Sequence, residues 1–208
     1  MELNYVPHFP AAKDISILDI GCGRGEALKD LRRLGYQNVR GIDIDPEKIA
    51  ACKAAGLNVE LIDDLKKYLR GRTFDVIMLK TVIANFPKEE VIPNLISIYQ
   101  ALGREGILIA ETTNAAILTG YYMLANDFTH WQYFTEYSFR QILLRAGFSS
   151  VKVSGKNAKV RSVKFFIWTI LRFFWFLTLR VIYWIERGND ENPTIFSKSL
   201  IAICRKSS

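Results

Sequence analysis

The chain has few of the residues that build metal or disulfide scaffolds. Three cysteines (Cys22, Cys52 and Cys204) form no C-x-x-C pair and leave an odd count, so neither a disulfide framework nor a zinc site is expected. Histidine is scarcer still: His8 lies in a Pro-flanked loop before the first strand, which leaves His130 as the histidine to weigh for proton transfer. The opening MELNYVPHFPAAKD has no basic stretch followed by an apolar one, so no secretory signal is expected and the expected compartment is the cytoplasm. Repeats and low-complexity tracts are missing too. At 208 residues the chain is long enough for one well-cored domain with a small appendage.

Acidic residues are scarce only at the end. Residues 1–155 carry 18 basic and 18 acidic side chains, whereas residues 156–208 carry 10 basic and 3 acidic. The whole formal charge of +7 therefore sits in the last quarter. Three of the four tryptophans, Trp168, Trp175 and Trp184, fall in the same region. A basic, aromatic tail on a neutral body suggests an anionic surface, either lipid or nucleic acid.

Strand and helix patterns alternate along the body. ISILDI (15–20), VRGIDI (39–44), NVELID (58–63), FDVIMLK (74–80), GILIAET (106–112) and SSVKVSG (149–155) read as strands. Helical patterns such as EALKDLRRLG, PEKIAACKAAG, EEVIPNLISIYQALG and TEYSFRQILLRAGF lie between them. SKSLIAICRK (197–206) is the last strand. Continuous apolar strands in this order predict an α/β fold with a doubly wound, mostly parallel seven-stranded sheet covered on both faces.

The stretch LDIGCGRGEAL follows the first strand and opens the first helix. Glycines there permit a tight turn and let backbone N–H groups approach a ligand at the helix start. A dinucleotide fingerprint would need its third glycine at Glu26, but the chain reads Asp19-x-Gly21-x-Gly23-x-Gly25. An acid two residues before the first glycine is a poor neighbour for a pyrophosphate. It suits a ligand with an ammonium and a sulfonium, as in S-adenosylmethionine. Asp43 ends the second strand, where a carboxylate can accept both ribose hydroxyls. Asp63 or its neighbour Asp64 ends the third, where it can accept from an adenine amino group.

On these residues the chain resembles the Rossmann-like S-adenosylmethionine-dependent methyltransferases, over about residues 15–155. ILDIGCGRGEAL is similar to their first motif, GIDIDPEKI to their second, and FDVI…LGREGILIAE to their fourth and fifth strands. The resemblance implies that Asp19, Gly21 and Gly23 border the methionine part, Asp43 the ribose and Asp63 the adenine. Cys22, Ile44 and Asp64 complete the expected cofactor set, with S-adenosylhomocysteine as product. A methyltransferase-like binding protein without turnover is the reading from another class.

Methyl transfer is an in-line displacement, so alignment matters most, and an alcohol acceptor also gains from a general base. His130, in ANDFTHWQYFTEYSF, is the candidate base, with Thr129, Trp131, Tyr133 and Phe134 expected to surround it as a pocket. Glu111 in ETTN and Asn85 in VIANF are the other candidate acceptor-side groups. GCGRGEAL, AETTN and DFTHWQYF resemble the corresponding stretches of methyltransferases of bacterial O-antigen and surface-polysaccharide synthesis. That resemblance implies a glycan or lipid-linked acceptor. Ala84-Asn85 stands where many relatives have Glu-His, and prolines are missing from the ETTN and DFTH stretches. The Thr-His…Phe spacing is also similar to that of quinone O-methyltransferases.

The boundaries expected are a core of 1–155, a helical insertion of 156–196 and a closing strand in 197–208. FFIWTILRFFWFLTLRVIYWI (165–185) is the hydrophobic part of that insertion. A single membrane crossing would separate two strands that must pair, and a hairpin needs about 20 apolar residues per span. At about 100° per residue, Arg161, Lys164, Arg172, Arg180 and Arg187 share an arc of roughly 160°. Phe166, Ile167, Ile170, Leu171, Phe173, Phe174, Leu177 and Val181 occupy the opposite one. This predicts a helix lying at an anionic membrane surface through 161–187, or else one packed on the domain or on a second copy in a homodimer. Its cations are strung along an apolar helix, so nucleic acid is not the expected partner.

Overall fold

In the computed structural model, residues 6–126, 128–156, 163–188 and 191–206 are described. Among them run seven strands: β1 (Ile17–Ile20), β2 (Val39–Asp43), β3 (Val59–Leu61), β4 (Phe74–Lys80), β5 (Leu102–Thr113), β6 (Ser150–Gly155) and β7 (Ser199–Arg205). They form one sheet in the order β3-β2-β1-β4-β5-β7-β6. The first five pair in parallel, and β7 is antiparallel to both neighbours. The α/β architecture expected from the sequence is the one observed.

The apolar strands supply both faces. In β4, Val76 and Met78 face one side and Ile77 and Leu79 the other, all fully buried. On the first side pack α1 (Glu26–Arg33), through Ala27, Leu28 and Leu31, and α2 (Pro46–Ala54), through Ile49 and Cys52. On the second pack α4 (Lys88–Ala101), through Leu95 and Ile98, and α6 (Glu136–Arg145), through Phe139 and Leu143. Asp45 caps α2 by accepting from the amides of Glu47 and Lys48, with Pro46 at the first helical position. Thr135 and Ser138 form a reciprocal cap on α6.

Two short helices, α3 (Leu65–Leu69) and α5 (Gly120–Ala125), go beyond the sequence reading, and their few turns carry little periodic signal. β3 ends at Leu61, so Asp63 lies past the strand. β5 starts earlier than expected, at Leu102.

The last helix, α7 (Val163–Arg187), connects β6 to β7 and lies along the domain. The Tyr183 hydroxyl donates to the Ala116 carbonyl (2.8 Å), and the Phe176 and Tyr183 rings meet buried Phe196 at 5.8 and 6.0 Å. Arg172, Phe176, Leu179 and Tyr183, spaced four, three and four residues apart, form the body-facing stripe. This corrects one expectation: Arg172 turns toward the protein, because its helical stripe is the one that packs. Arg180 and Arg187 are exposed at the flank. Arg161 lies outside the described residues, as do the side chains of Lys164 and Phe166.

The return from α7 is pinned by two buried polar groups. The Glu136 carboxylate accepts from the Thr194 amide and hydroxyl and from the Ile195 amide. The Asn114 amide nitrogen donates to the Ile195 and Ser197 carbonyls, while its oxygen accepts from Ala116.

Candidate active site

Strand order reverses between β1 and β4, and such switch points open a crevice beyond the strand ends. Gly21 and Gly23 line it with left-handed backbone, φ 67° and 56°. L side chains rarely adopt this conformation, and a Cβ on Gly21 would also collide with the Val82 methyl. Asp43 is buried at the end of β2, accepting from the Gly23 amide at 2.8 Å and the Asp45 amide at 3.0 Å. A carboxylate has about four acceptor positions, so capacity for two hydroxyls remains.

Asp19 is 3% exposed in β1. Burial pushes its pKa up to about 7, against the pull of the nearby Lys80 charge and with a smaller push from Asp43. A cation in the crevice would favour the carboxylate form. Ile44, 75% exposed beside Asp43, offers a flat apolar surface for an aromatic base. Asp63 is open to a ligand, its side chain 85% exposed and 3.8 Å from Lys67. Asp64 instead caps α3 by accepting from the Lys67 amide at 3.0 Å. Cys22 sits in the glycine turn as expected; its side chain packs inward against Gly41, and burial pushes the thiol up to about 12. Only its backbone borders the crevice.

Beside the crevice lies a cavity of about 1000 Å³, bounded by the ends of β4, β5 and β7 and by α7. Thr81, Glu111, Lys156 and Lys198 come from the sheet side, and Trp168, Arg172, Trp175 and Phe176 from the helix. Glu111 is 4% exposed; its Oε1 lies 2.9 Å from Lys156 Nζ, while its Oε2 is buried with no hydrogen-bond partner among the described residues. Thr81 ties the end of β4 to the backbone of β5 at Glu111, donating its amide to the Glu111 main-chain carbonyl at 2.7 Å. Its φ of 57° is unusual for a β-branched residue, and such local strain concentrates at functional sites.

The amides of Trp131 and Gln132 both donate to the Ala84 carbonyl, which sets half-buried His130 beside the turn Ile83–Asn85. Asn85 is exposed there. The structure thus sets His130 near Asn85, and among the described residues the aromatics expected around the histidine do not enclose it. Trp131 and Tyr133 face solvent, and Phe134 belongs to the core against Phe139. His130 and Asn85 are not among the residues bounding the cavity, whereas Glu111 is. Sequence reasoning missed Thr81, Lys156, Arg172 and Lys198. A signal existed for the two lysines, which flank the paired ends of β6 and β7, the Lys156 amide donating to the Ser199 carbonyl.

A charged nucleoside is what the crevice suits: two carboxylates, glycine backbone and an apolar shelf. On this fold that defines the S-adenosylmethionine-dependent methyltransferases. Bound there, the cofactor supplies an electrophilic methyl on a sulfonium. Residues 4–153 match the methyltransferase domain family, and the chain belongs to it. A SAM dependent methyltransferase from Archaeoglobus fulgidus superposes with TM-score 0.71 at 23% identity, over 97% of this chain and 90% of that one. The plantazolicin methyltransferase BamL, solved with a triazolic desmethylPZN analog and SAH, gives 0.61 at 17% identity over 93% and 77%. The ribosomal protein L11 methyltransferase of Enterobacter sp. (strain 638) is 33% identical over 103 residues, 46% of this chain and 35% of its own. The chain thus spans about a third of the length of those curated relatives.

Proposed function

We propose that this methyltransferase methylates an oxygen of a glycan carried on a lipid, at the cytoplasmic face of a membrane. The observation that carries the reading is the outer face of α7. Ile167, Phe173, Phe174, Leu177, Val181 and Ile185 are 47–70% exposed and fall within an arc of roughly 120°, opposite the stripe that packs on the body. A contiguous apolar surface of this kind marks an interaction site. Trp184, Arg180 and Arg187 border it, the pattern of a helix lying at a lipid headgroup boundary. An in-plane pose agrees with the mid-helix contacts of Phe176 and Tyr183 to the domain. The sequence likeness of GCGRGEAL, AETTN and DFTHWQYF favours a glycan over the ribosomal protein and plantazolicin for which similar proteins are named.

In this reading the cavity admits the acceptor, and cavity-lining Thr81 directly precedes Val82, whose methyl lies against Gly21 of the crevice. Glu111 takes the hydroxyl proton on Oε2 while Lys156 holds Oε1, with His130 as the second candidate base.

Co-sedimentation with vesicles of phosphatidylglycerol and phosphatidylcholine tests the surface. The protein should pellet at low salt, and Phe174→Glu with Leu177→Glu should abolish pelleting without changing S-adenosylhomocysteine affinity. Protein left in the supernatant as a dimer would assign α7 to self-association instead. Labelled cofactor with total membrane lipid should place label in glycolipid; label confined to quinones or to protein would overturn the acceptor.

A further inference from the structure

The cavity has a charge balance that the proposed function does not explain. Lys156 is matched by Glu111 at 2.9 Å. Arg172 and Lys198 also line the cavity, and among the described residues neither has a carboxylate partner. Arg172 is held in place from its own helix, its guanidinium 5.1 Å from the Trp168 ring and 4.8 Å from the Phe176 ring. Burial holds its pKa below the usual arginine value, a sign that water does not fully solvate it. Two uncompensated cations facing one space favour an anion of about two charges.

The same space is too large and too apolar for a free anion. A volume of about 1000 Å³ matches that of ligand pockets for sizeable organic molecules. Leu171, Trp175, Phe176 and Phe196 wall it on the helix side, facing the polar sheet ends. Leu171 is both a lining residue and 64% exposed, so the apolar lining runs to the outside of the molecule beside α7.

We propose that this cavity binds the phosphate-bearing head of an anionic amphiphile, with phosphate on Arg172 and Lys198 and the chain leaving past Trp175 and Leu171. A neutral lipid would leave half-buried Arg172 without an anionic partner and exposed Lys198 unused at the rim, and a bare phosphate would leave the indole wall in water. The assignment rests on the acceptor being lipid-borne. It makes Arg172 and Lys198 specificity determinants, and it turns part of the basic excess of residues 156–208 from membrane attraction to substrate recognition.

The test uses dodecyl phosphate below its critical micelle concentration, so that no membrane is present. Binding is read by quenching of tryptophan fluorescence, since Trp168 and Trp175 line the cavity. Dodecyl phosphate should bind at least about tenfold more tightly than dodecyl maltoside or inorganic phosphate. Arg172→Gln with Lys198→Gln should weaken it about tenfold or more, Arg172→Lys should retain most of it, and calorimetric S-adenosylhomocysteine affinity should not change, which also verifies folding. Equal affinity for the phosphate and the maltoside, or no effect of the double substitution, overturns the proposal. Loss of vesicle pelleting with dodecyl phosphate binding intact would refute membrane docking alone. Pelleting with no selective dodecyl phosphate binding would refute the cavity assignment alone.

Discussion

The cofactor crevice and the neighbouring cavity are built on opposite plans. The crevice is made within short stretches: Asp19 to Gly25 is one strand-to-helix turn, and Asp43 closes on it with one hydrogen bond to the Gly23 amide. Its working groups are backbone amides and acids at successive strand ends. The cavity gathers Thr81, Glu111, Lys156, Arg172 and Lys198 from five separate stretches, and it exists only because α7 lies across the sheet ends. One plan fixes a ligand by local geometry, so the site is as rigid as the sheet. The other depends on how a single long helix is seated, which leaves the shape of the cavity free to change while the crevice stays the same.

The largest expected effect breaks the crevice. Asp43→Ala removes the acceptor for the Gly23 and Asp45 amides as well as for ligand hydroxyls, so calorimetric affinity for S-adenosylhomocysteine should fall by about 10²- to 10⁴-fold. A change within threefold would show that Asp43 is not the hydroxyl acceptor.

Next is the pH response of Asp19. Its folded-state pKa of about 7 lies above the ordinary 3.8, so the protonated form is favoured by folding. Asp19's contribution to the stability of the protein without ligand is therefore fully present below pH ~4 and is lost as pH rises through about 7, by up to roughly 4 kcal/mol. Denaturation between pH 5 and 8 should show this slope, and Asp19→Asn should flatten it. Cofactor affinity should run the other way, rising across pH 6–8 as a bound cation selects the carboxylate. A pH-independent affinity would remove Asp19 from the ligand's surroundings.

The seat of α7 comes third. Asn114→Ala leaves the Ile195 and Ser197 carbonyls and the Ala116 amide without their buried partner, at a cost of about 2–4 kcal/mol in denaturant unfolding. If the two sites are as separate as their construction suggests, S-adenosylhomocysteine affinity should stay nearly constant under native conditions. The smallest effect is chemical. Glu111→Gln should lower kcat about 10²-fold, the low end for loss of a general base, with cofactor binding unchanged. An undiminished kcat would return the base role to His130.

The same difference in plan explains what the sequence could reveal. β1 to β5 were legible because buried strands are apolar on both faces and are punctuated by glycine and proline. The crevice was legible because Asp19, Gly21, Gly23 and Asp43 act through positions at strand ends, and spacing along the chain is their geometry. The orientation of Cys22 was not legible, because only three-dimensional packing shows that its thiol fills the space Gly41 leaves. Arg172 illustrates the harder limit. A helical wheel correctly groups Arg172 with Arg180 and Arg187, but it gives relative angles and not which stripe faces the body. The aromatic surroundings of His130 were read as a pocket from composition alone, yet Phe134 fills the core and Trp131 and Tyr133 point outward.

One feature of the topology bears on how the molecule is made. β7 is the last strand in the chain but an interior strand of the sheet, hydrogen-bonded to β5 on one side and β6 on the other. During synthesis the earlier strands and the greasy α7 emerge first, so β5 and β6 wait with open edges while the helix has no finished domain to lie against. Open strand edges and an uncovered apolar helix favour aggregation during this interval, and a bilayer that takes up α7 at that moment would shelter it. The helix proposed here to locate the enzyme would then also act as its chaperone-free protection until residue 205 closes the sheet.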